Sequence, residues 1–119
     1  MAEPKLYKGS CHCGNVKFEA TMSLDKVMEC NCSICGRIGA MRSFVPATRF
    51  KLLSGEDSLT DYQFGREHLH HLFCKQCGIH SFASGKAKDG TDTRAVNVRC
   101  LEGVEPWSIQ TTHFEGKKL

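Results

Sequence analysis

Seven of the eight cysteines in this chain of 119 residues fall into three short clusters. The clusters are a first pair, Cys11 and Cys13; a triple, Cys30, Cys32 and Cys35; and a second pair, Cys74 and Cys77. In a chain without a secretory signal, C-x-C and C-x-x-C spacings are more typical of metal sites than of disulfides. Because zinc prefers thiolate ligands in a tetrahedral arrangement, we predict that these residues bind zinc.

Each cluster ends in a Cys-Gly step, and the three glycines are Gly14, Gly36 and Gly78. A chain that brings successive thiolates onto one ion must turn tightly, with backbone N–H groups pointing at the sulfurs. Glycine takes such turns without steric cost, because it has no Cβ and readily adopts φ > 0. The pattern therefore predicts a tight metal-binding turn at each cluster.

Two groupings of the clusters are compatible with a closed four-thiolate zinc site. In the first, a zinc ribbon joins Cys32 and Cys35 to the second pair. The separation of these two clusters exceeds the usual ribbon spacing, and this grouping leaves three clustered thiols without a role. In the second, the first and second pairs form the closed site and close a long loop in a small domain. The spacing favours the second grouping, which leaves the triple with an open fourth position, typical of a catalytic zinc. A fourth structural ligand for the triple remains an alternative; the candidates are His70, His71, His80 and Cys100.

The elements that must position these clusters are predominantly short strands. Val16, Phe18 and Ala20 alternate with polar residues, which predicts one strand of a hairpin with a single buried face. Further strands are predicted over residues 5–11, 43–45, 49–53, 59–64, 68–73, 79–83 and 94–100, and helical turns over 35–41 and 104–109. The predicted fold is mainly β, with two small antiparallel sheets stapled by zinc.

Length and charge exclude several other classes of protein. The chain is expected to form a single domain, residues 1–119, with a modest core in which Trp107 packs. The formal net charge of +3 is scattered and not interleaved with aromatic residues, so no nucleic-acid partner is expected. No apolar run reaches the roughly 18 residues of a membrane span. Because the N-terminal segment has no apolar signal region, we expect a cytoplasmic protein.

Five short motifs appear in an order that resembles one known family. They are Gly9-Ser-Cys-His-Cys-Gly14, Cys30-Asn-Cys-Ser-Ile-Cys35, Phe73-Cys-Lys-Gln-Cys-Gly78, Val96-Asn-Val-Arg-Cys-Leu101 and His113-Phe-Glu-Gly116. The sequence resembles the glutathione-dependent formaldehyde-activating enzyme family, to which centromere protein V also belongs. The resemblance implies a zinc-pinned β-tent, or Mss4-like fold, with two zinc ions per chain. It also implies that the first and second pairs hold a structural zinc and that the triple holds the catalytic one.

The activity implied by the resemblance is that of a carbon–sulfur lyase, which joins a thiol such as glutathione to a small aldehyde such as formaldehyde, or reverses that step. A zinc held by three thiolates binds a thiol in its open position and lowers that thiol's pKa, or it polarises the carbonyl. Four arginines are candidates for the carboxylates of glutathione, with exposed surface charge as the alternative for each: Arg37, Arg42, Arg66 and Arg99. His80 is a candidate for orienting a zinc thiolate or moving a proton, with ordinary packing as the alternative.

Two other functional hypotheses are compatible with the sequence. Cys100 follows a Val-Asn-Val-Arg segment, an arrangement that resembles methionine-R-sulfoxide reductase B, so it is a candidate redox thiol. Its alternative role is that of a small buried apolar residue. The relation to centromere protein V also allows a zinc scaffold without enzymatic activity.

Overall fold

The computed structural model describes residues 3–63, 69–87 and 89–116, and over these ranges the chain is mainly β with one short helix. The strands are β1 Lys5–Ser10, β2 Lys17–Met22, β3 Val27–Cys30, β4 Arg42–Pro46, β5 Phe50–Ser54, β6 Leu59–Tyr62, β7 Leu69–Cys74, β8 Phe82–Lys86, β9 Asp92–Asn97 and β10 Thr111–Phe114. The helix, α1, spans Cys35–Ile38. In the part of the chain described, no helix has the length and apolar character needed to cross a membrane.

A three-stranded antiparallel sheet of order β1-β2-β5 carries the first pair of cysteines at the end of β1. Along β2 the side chains of Phe18, Ala20 and Met22 are buried while the residues between them are more exposed. The predicted alternation is therefore confirmed, because successive side chains of a strand point to opposite faces of the sheet.

A seven-stranded sheet of order β10-β3-β4-β9-β8-β7-β6 carries the triple and the second pair. Its neighbours pair antiparallel except β10 and β3, which pair in parallel. The predicted mainly β fold with two sheets is confirmed, and the structure adds that the larger sheet has seven strands and one parallel pair. The sequence analysis missed β3 and β10, which are only four residues long and carry no alternating pattern.

Several predicted elements begin or end elsewhere. The strand predicted over 79–83 starts only at Phe82, and the strand predicted over 94–100 ends at Asn97, followed by a 3₁₀ turn. The second helical prediction is reduced to the 3₁₀ turn Pro106–Ser108. The ends of the strands predicted over 59–64 and 68–73 include residues 64–68, which lie outside the described residues.

Three aromatic side chains in mutual contact connect the two sheets. Phe50 of β5 lies with its ring centroid 5.4 Å from that of Phe18 on β2 and 4.6 Å from that of Phe82 on β8. Burial of side chains of this size contributes about 1.5–3 kcal/mol each. Trp107 does not join this core: it is 88% exposed, so its predicted place in the core is wrong. Its short 3₁₀ turn lies on the surface, where the indole is not covered by the described residues.

Candidate metal centres

The first and second pairs come together as one four-cysteine cluster. The first pair follows β1 and the second pair lies at the end of β7, and the four Sγ atoms lie within 4.8 Å of one another. Cys13 Sγ is 3.6 Å from both Cys11 Sγ and Cys74 Sγ. A tetrahedral zinc with bonds of about 2.3 Å places its sulfurs roughly 3.8 Å apart. The cluster therefore fits a tetrahedral thiolate site.

Two members of this four-cysteine cluster belong to the apolar interior, whereas Cys13 is exposed and Cys77 is half-buried. Cys11 and Cys74 are 2% and 0% exposed and pack with Val16 and Phe82 in a buried apolar cluster. The backbone N–H of Val16 donates to Cys11 Sγ at 3.3 Å, which supports a negative charge on that sulfur. The cluster thus joins the hairpin of the smaller sheet to the larger sheet from within the core.

Tight glycine turns support two of the four thiols. Gly14 and Gly78 have φ of 85° and 78°, and the N–H of Gly78 donates to the carbonyl of Cys74 at 2.7 Å. These two glycines turn in the left-handed conformation. At the triple, Gly36 lies inside α1 and is absent from the positive-φ glycines of the described residues, but its N–H donates to the carbonyl of Cys32 at 2.9 Å, so the chain also turns tightly there.

The electrostatics of the four-cysteine cluster favour a shared negative charge. Burial opposes ionisation of Cys77, but backbone N–H groups and the neighbouring thiols outweigh it and lower its pKa to about 6. The N–H of Asn15 favours the thiolate of Cys13, but burial and the other three thiols outweigh that contact and raise its pKa to about 12. Burial also opposes ionisation of Cys11, but the N–H of Val16 and neighbouring thiols outweigh it and lower its pKa. Deprotonated thiols are the form in which cysteine binds zinc.

The triple forms a second cluster at the junction of β3 and α1. Cys30 is the last residue of β3, Cys35 is the first of α1, and the three Sγ atoms lie within 4.8 Å of one another. The N–H of Cys32 donates to Cys30 Sγ and the N–H of Cys35 donates to Cys32 Sγ, each at 3.4 Å. All three side chains are half-buried. The turn thus points backbone donors at the sulfurs without a left-handed glycine inside the cluster.

No fourth ligand joins the triple in the described part of the chain. His70 instead bonds Asp61 at 2.7 Å, and His71, His80 and Cys100 lie outside the group of clustered ligand atoms. The zinc-ribbon grouping is not formed either, because the second pair is occupied with the first. The structure therefore brings together the grouping that the spacing favours.

The C-terminal strand covers one side of the triple, a contact that the sequence analysis missed. Because β10 lies parallel to β3 with Phe114 opposite Cys30, the chain reaches the cluster at Gly116. A Cβ at Gly116 would collide with Cys30 Sγ and approach Cys32 Cβ to 2.9 Å. The sequence signal was the glycine of the late His-Phe-Glu-Gly motif, whose partner only the strand pairing reveals.

A cavity of about 280 Å³ opens beside the triple and is lined by all three of its cysteines. Apolar side chains form most of its wall; they include Met28, Ile34, Phe44, Leu69, Ala95 and Phe114. Burial raises the pKa of Cys35 to about 12. Burial acts in the same direction on Cys32, but hydrogen bonds from backbone N–H groups and neighbouring thiols outweigh it and lower its pKa. The triple therefore faces a largely apolar space, and the surroundings of the Cys32 sulfur favour its thiolate form.

The candidate arginines differ in their positions. Arg42, the first residue of β4, is only 5% exposed and lines the cavity of the triple, so the surface alternative is wrong for it. Arg37 and Arg99 are exposed and line a different depression of about 670 Å³. Arg66 lies outside the described residues. No feature of the sequence indicated that Arg42 is buried, because the strands that cover it come from distant segments of the chain.

His80 and Cys100 lie beside that other depression and not in the cavity of the triple. Burial, and then the charge of Arg42, lower the pKa of His80, whose ring packs 5.1 Å from that of Phe73. Burial raises the pKa of Cys100, although the nearby hydroxyl of Ser81 acts against the rise. A raised thiol pKa reduces the fraction of reactive thiolate, so this environment does not favour Cys100 as a redox nucleophile.

Two packed sheets with two cysteine clusters, each able to hold a metal ion, define a mainly β protein with two candidate metal centres. The model of the family described as "Glutathione-dependent formaldehyde-activating enzyme" matches residues 6–116. The chain belongs to this family, whose members bind zinc. Among solved structures, a crystal structure of a Rhodobacter sphaeroides protein is similar, with a TM-score of 0.78 and 34% identity. That match covers 88% of this chain and 99% of the other.

Proposed function

We propose that this protein joins a thiol to a small aldehyde at the triple and, in reverse, splits the adduct as a carbon–sulfur lyase. The observation that carries the proposal is the cavity beside the triple: three clustered sulfurs, with no fourth ligand from the described residues, line an apolar space. Family membership supports the same chemistry. Glutathione and formaldehyde are the family's substrates, and the pair used by this chain is part of the proposal.

The two clusters take different roles in this proposal. The four-cysteine cluster holds a structural zinc, and Cys30, Cys32 and Cys35 hold a catalytic one, giving two ions per chain. Bound there, zinc lowers the pKa of a substrate thiol or polarises a carbonyl. The N–H groups of Cys32 and Cys35 hold the sulfurs in place through their hydrogen bonds, in the way that outer contacts orient metal ligands.

The reaction needs no oxidant or reductant. The thiol gives up its proton, a sulfur lone pair forms the bond to the carbonyl carbon, and the π electrons move to the carbonyl oxygen. That oxygen takes up the proton, so the product is a hydroxy thioether with all atoms of both substrates. The apolar walls beside the triple, Phe44 and Phe114 among them, restrict water around the reacting atoms.

The other hypotheses from the sequence remain predictions. No contact of Cys100 in the described residues favours a redox role, and a scaffold would need the fourth position of the triple to be filled by the protein. A cytoplasmic location fits the proposal because thiols kept as metal ligands need a reducing compartment.

NMR exchange spectroscopy on ¹³C-formaldehyde and glutathione tests the proposal, because it measures how fast the labelled carbon passes between free formaldehyde and the adduct. Zinc-loaded wild type should accelerate the exchange above the uncatalysed rate. Cys32→Ser should remove the acceleration, and Cys100→Ser, outside the triple, should retain it. Equal rates for wild type and a folded Cys32→Ser variant with its four-cysteine zinc intact would contradict the proposal.

A further inference from the structure

Arg42 is a buried cation without a matching anion in the described part of the chain. Its side chain is 5% exposed, and its Nε atom is buried with no hydrogen-bond partner there. The ion pairs found among the described residues all involve other side chains. An unpaired buried charge is costly unless something compensates it, so an anion is expected beside this guanidinium in the functional state.

The surroundings of Arg42 do not supply that anion. In the sheet it lies opposite Met28 on one side and Asn97 on the other, neither of which carries charge. His71 and His80 are nearby, and burial together with the charge of Arg42 lowers the pKa of each, which keeps them neutral at pH 7. None of the described residues that line the cavity is Asp or Glu, so the anions available to Arg42 there are the thiolates of the triple and any ligand in the cavity.

Arg42 shares the cavity with the triple but does not contact its sulfurs. Within the described residues, no hydrogen bond joins the guanidinium to Cys30, Cys32 or Cys35. The cation and the sulfurs therefore border one space of about 280 Å³ that a ligand can fill.

The size and walls of this space restrict its occupant. A cavity of about 150 Å³ takes benzene, so the present one has room for roughly ten non-hydrogen atoms. Formaldehyde, a single carbon, needs neither apolar walls nor a cation, so these features match the thiol partner. Glutathione is larger and carries two carboxylates, whereas Arg42 is the one cation among the described residues that line the cavity.

We propose that the thiol substrate is a short-chain thiol acid, with its carboxylate on the guanidinium of Arg42, its apolar carbons against the cavity walls and its sulfur at the triple. This inference rests on the proposed function and narrows it to one substrate class. Arginine suits the task because its planar fork bonds both carboxylate oxygens at once. Arg42 is then a specificity-determining residue.

The first experiment is a binding comparison that needs no turnover. Zinc-loaded wild type is titrated by calorimetry with butyrate and with butyramide, which have nearly the same shape but differ in charge. Butyrate should bind about 10- to 100-fold more tightly, as expected for hydrogen bonds to a charged group. Equal binding of the two compounds by wild type overturns the proposal without any variant.

Variants of Arg42 identify the group responsible. Arg42→Gln should abolish the preference for butyrate while butyramide still binds, and Arg42→Lys should keep part of it. Arg99→Gln, in the exposed depression, is the matched control and should leave the preference unchanged. Zinc content and circular dichroism verify folding. A preference that survives in folded Arg42→Gln overturns the proposal, as does a variant that only loses zinc from the triple, because Arg42 is then merely a counter-charge to the thiolates.

The exchange measurement with formaldehyde then compares 3-mercaptopropionate with 3-mercaptopropionamide. Wild type should accelerate exchange of the acid more than that of the amide, and Arg42→Gln should remove the difference. If butyrate is preferred but the exchange of neither thiol with formaldehyde is accelerated, the carboxylate-binding site is supported and the proposed reaction is contradicted. If both thiols are accelerated equally, the reaction stands and the thiol-acid specificity fails.

Discussion

The two cysteine clusters use the same residue type in opposite surroundings. Cys11 and Cys74 of the four-cysteine cluster are buried among core side chains, and left-handed glycines shape its turns. The triple is half-buried, lies where β3 passes into α1, and faces a cavity. A closed ligand set with two members buried in the core suits stability, although Cys13 is exposed, whereas a set of three beside a cavity leaves room for a substrate. Because the ligands are the same, the surroundings of each cluster distinguish the proposed structural role from the proposed catalytic one.

The largest expected difference between the clusters concerns folding. Cys74→Ser should leave the chain largely unfolded, because structural zinc contributes about 10–16 kcal/mol in small zinc domains, comparable to the whole stability of a domain. Cys32→Ser should remain folded and lose one zinc. Circular dichroism and zinc content per chain measure both effects. Similar unfolding in the two variants would show that the triple is structural as well.

A chelator should remove the two ions at different rates. Among the described residues the half-buried triple has no fourth ligand, whereas two ligands of the four-cysteine cluster are 2% and 0% exposed, so zinc should leave the triple first. A colorimetric chelator should report two phases of equal amplitude, with the fold retained after the first. The fast phase should be absent in Cys32→Ser. A single phase that accompanies unfolding would remove the distinction between the clusters.

Gly116→Ala should disturb the triple alone. The added Cβ collides with Cys30 Sγ, so the sulfur must move and the affinity of the triple for zinc should fall by about tenfold or more, as is seen when supporting contacts of metal ligands are lost. Competition with a fluorescent zinc indicator measures the change. Thr112→Ala, at an exposed position of β10, the strand that precedes Gly116, is the control. Unchanged affinity in Gly116→Ala would mean that β10 does not support the cluster.

The smallest effect comes from the glycines that follow the clusters. Gly78 has φ of 78°, so Gly78→Ala should destabilise the fold by about 1–2 kcal/mol. Gly36 lies in α1 with no heavy atom closer than 3.6 Å to a Cβ built on it, so Gly36→Ala should stabilise by about 0.5–1 kcal/mol. Urea denaturation measures both. Equal effects would show that both clusters depend on the same kind of turn.

Local patterns were enough to predict much of the site and fold. The spacing of the cysteines indicated metal binding, and loop closure favoured the grouping that the structure brings together. The alternation of Phe18 and Ala20 predicted β2 correctly, because a strand's period of two is visible within a few residues. The order of five short motifs pointed to the family that the comparison confirms.

The sequence by itself determined the ligand types, their spacing, the β character and the family of this protein. Only the tertiary structure decided that Arg42 is buried beside the triple, that Gly116 covers it, and that Trp107 lies on the surface. The physical reason is that these facts depend on the order of strands in a sheet. The parallel pairing of β10 with β3 joins segments far apart in the chain, and no local pattern of residues encodes such a contact.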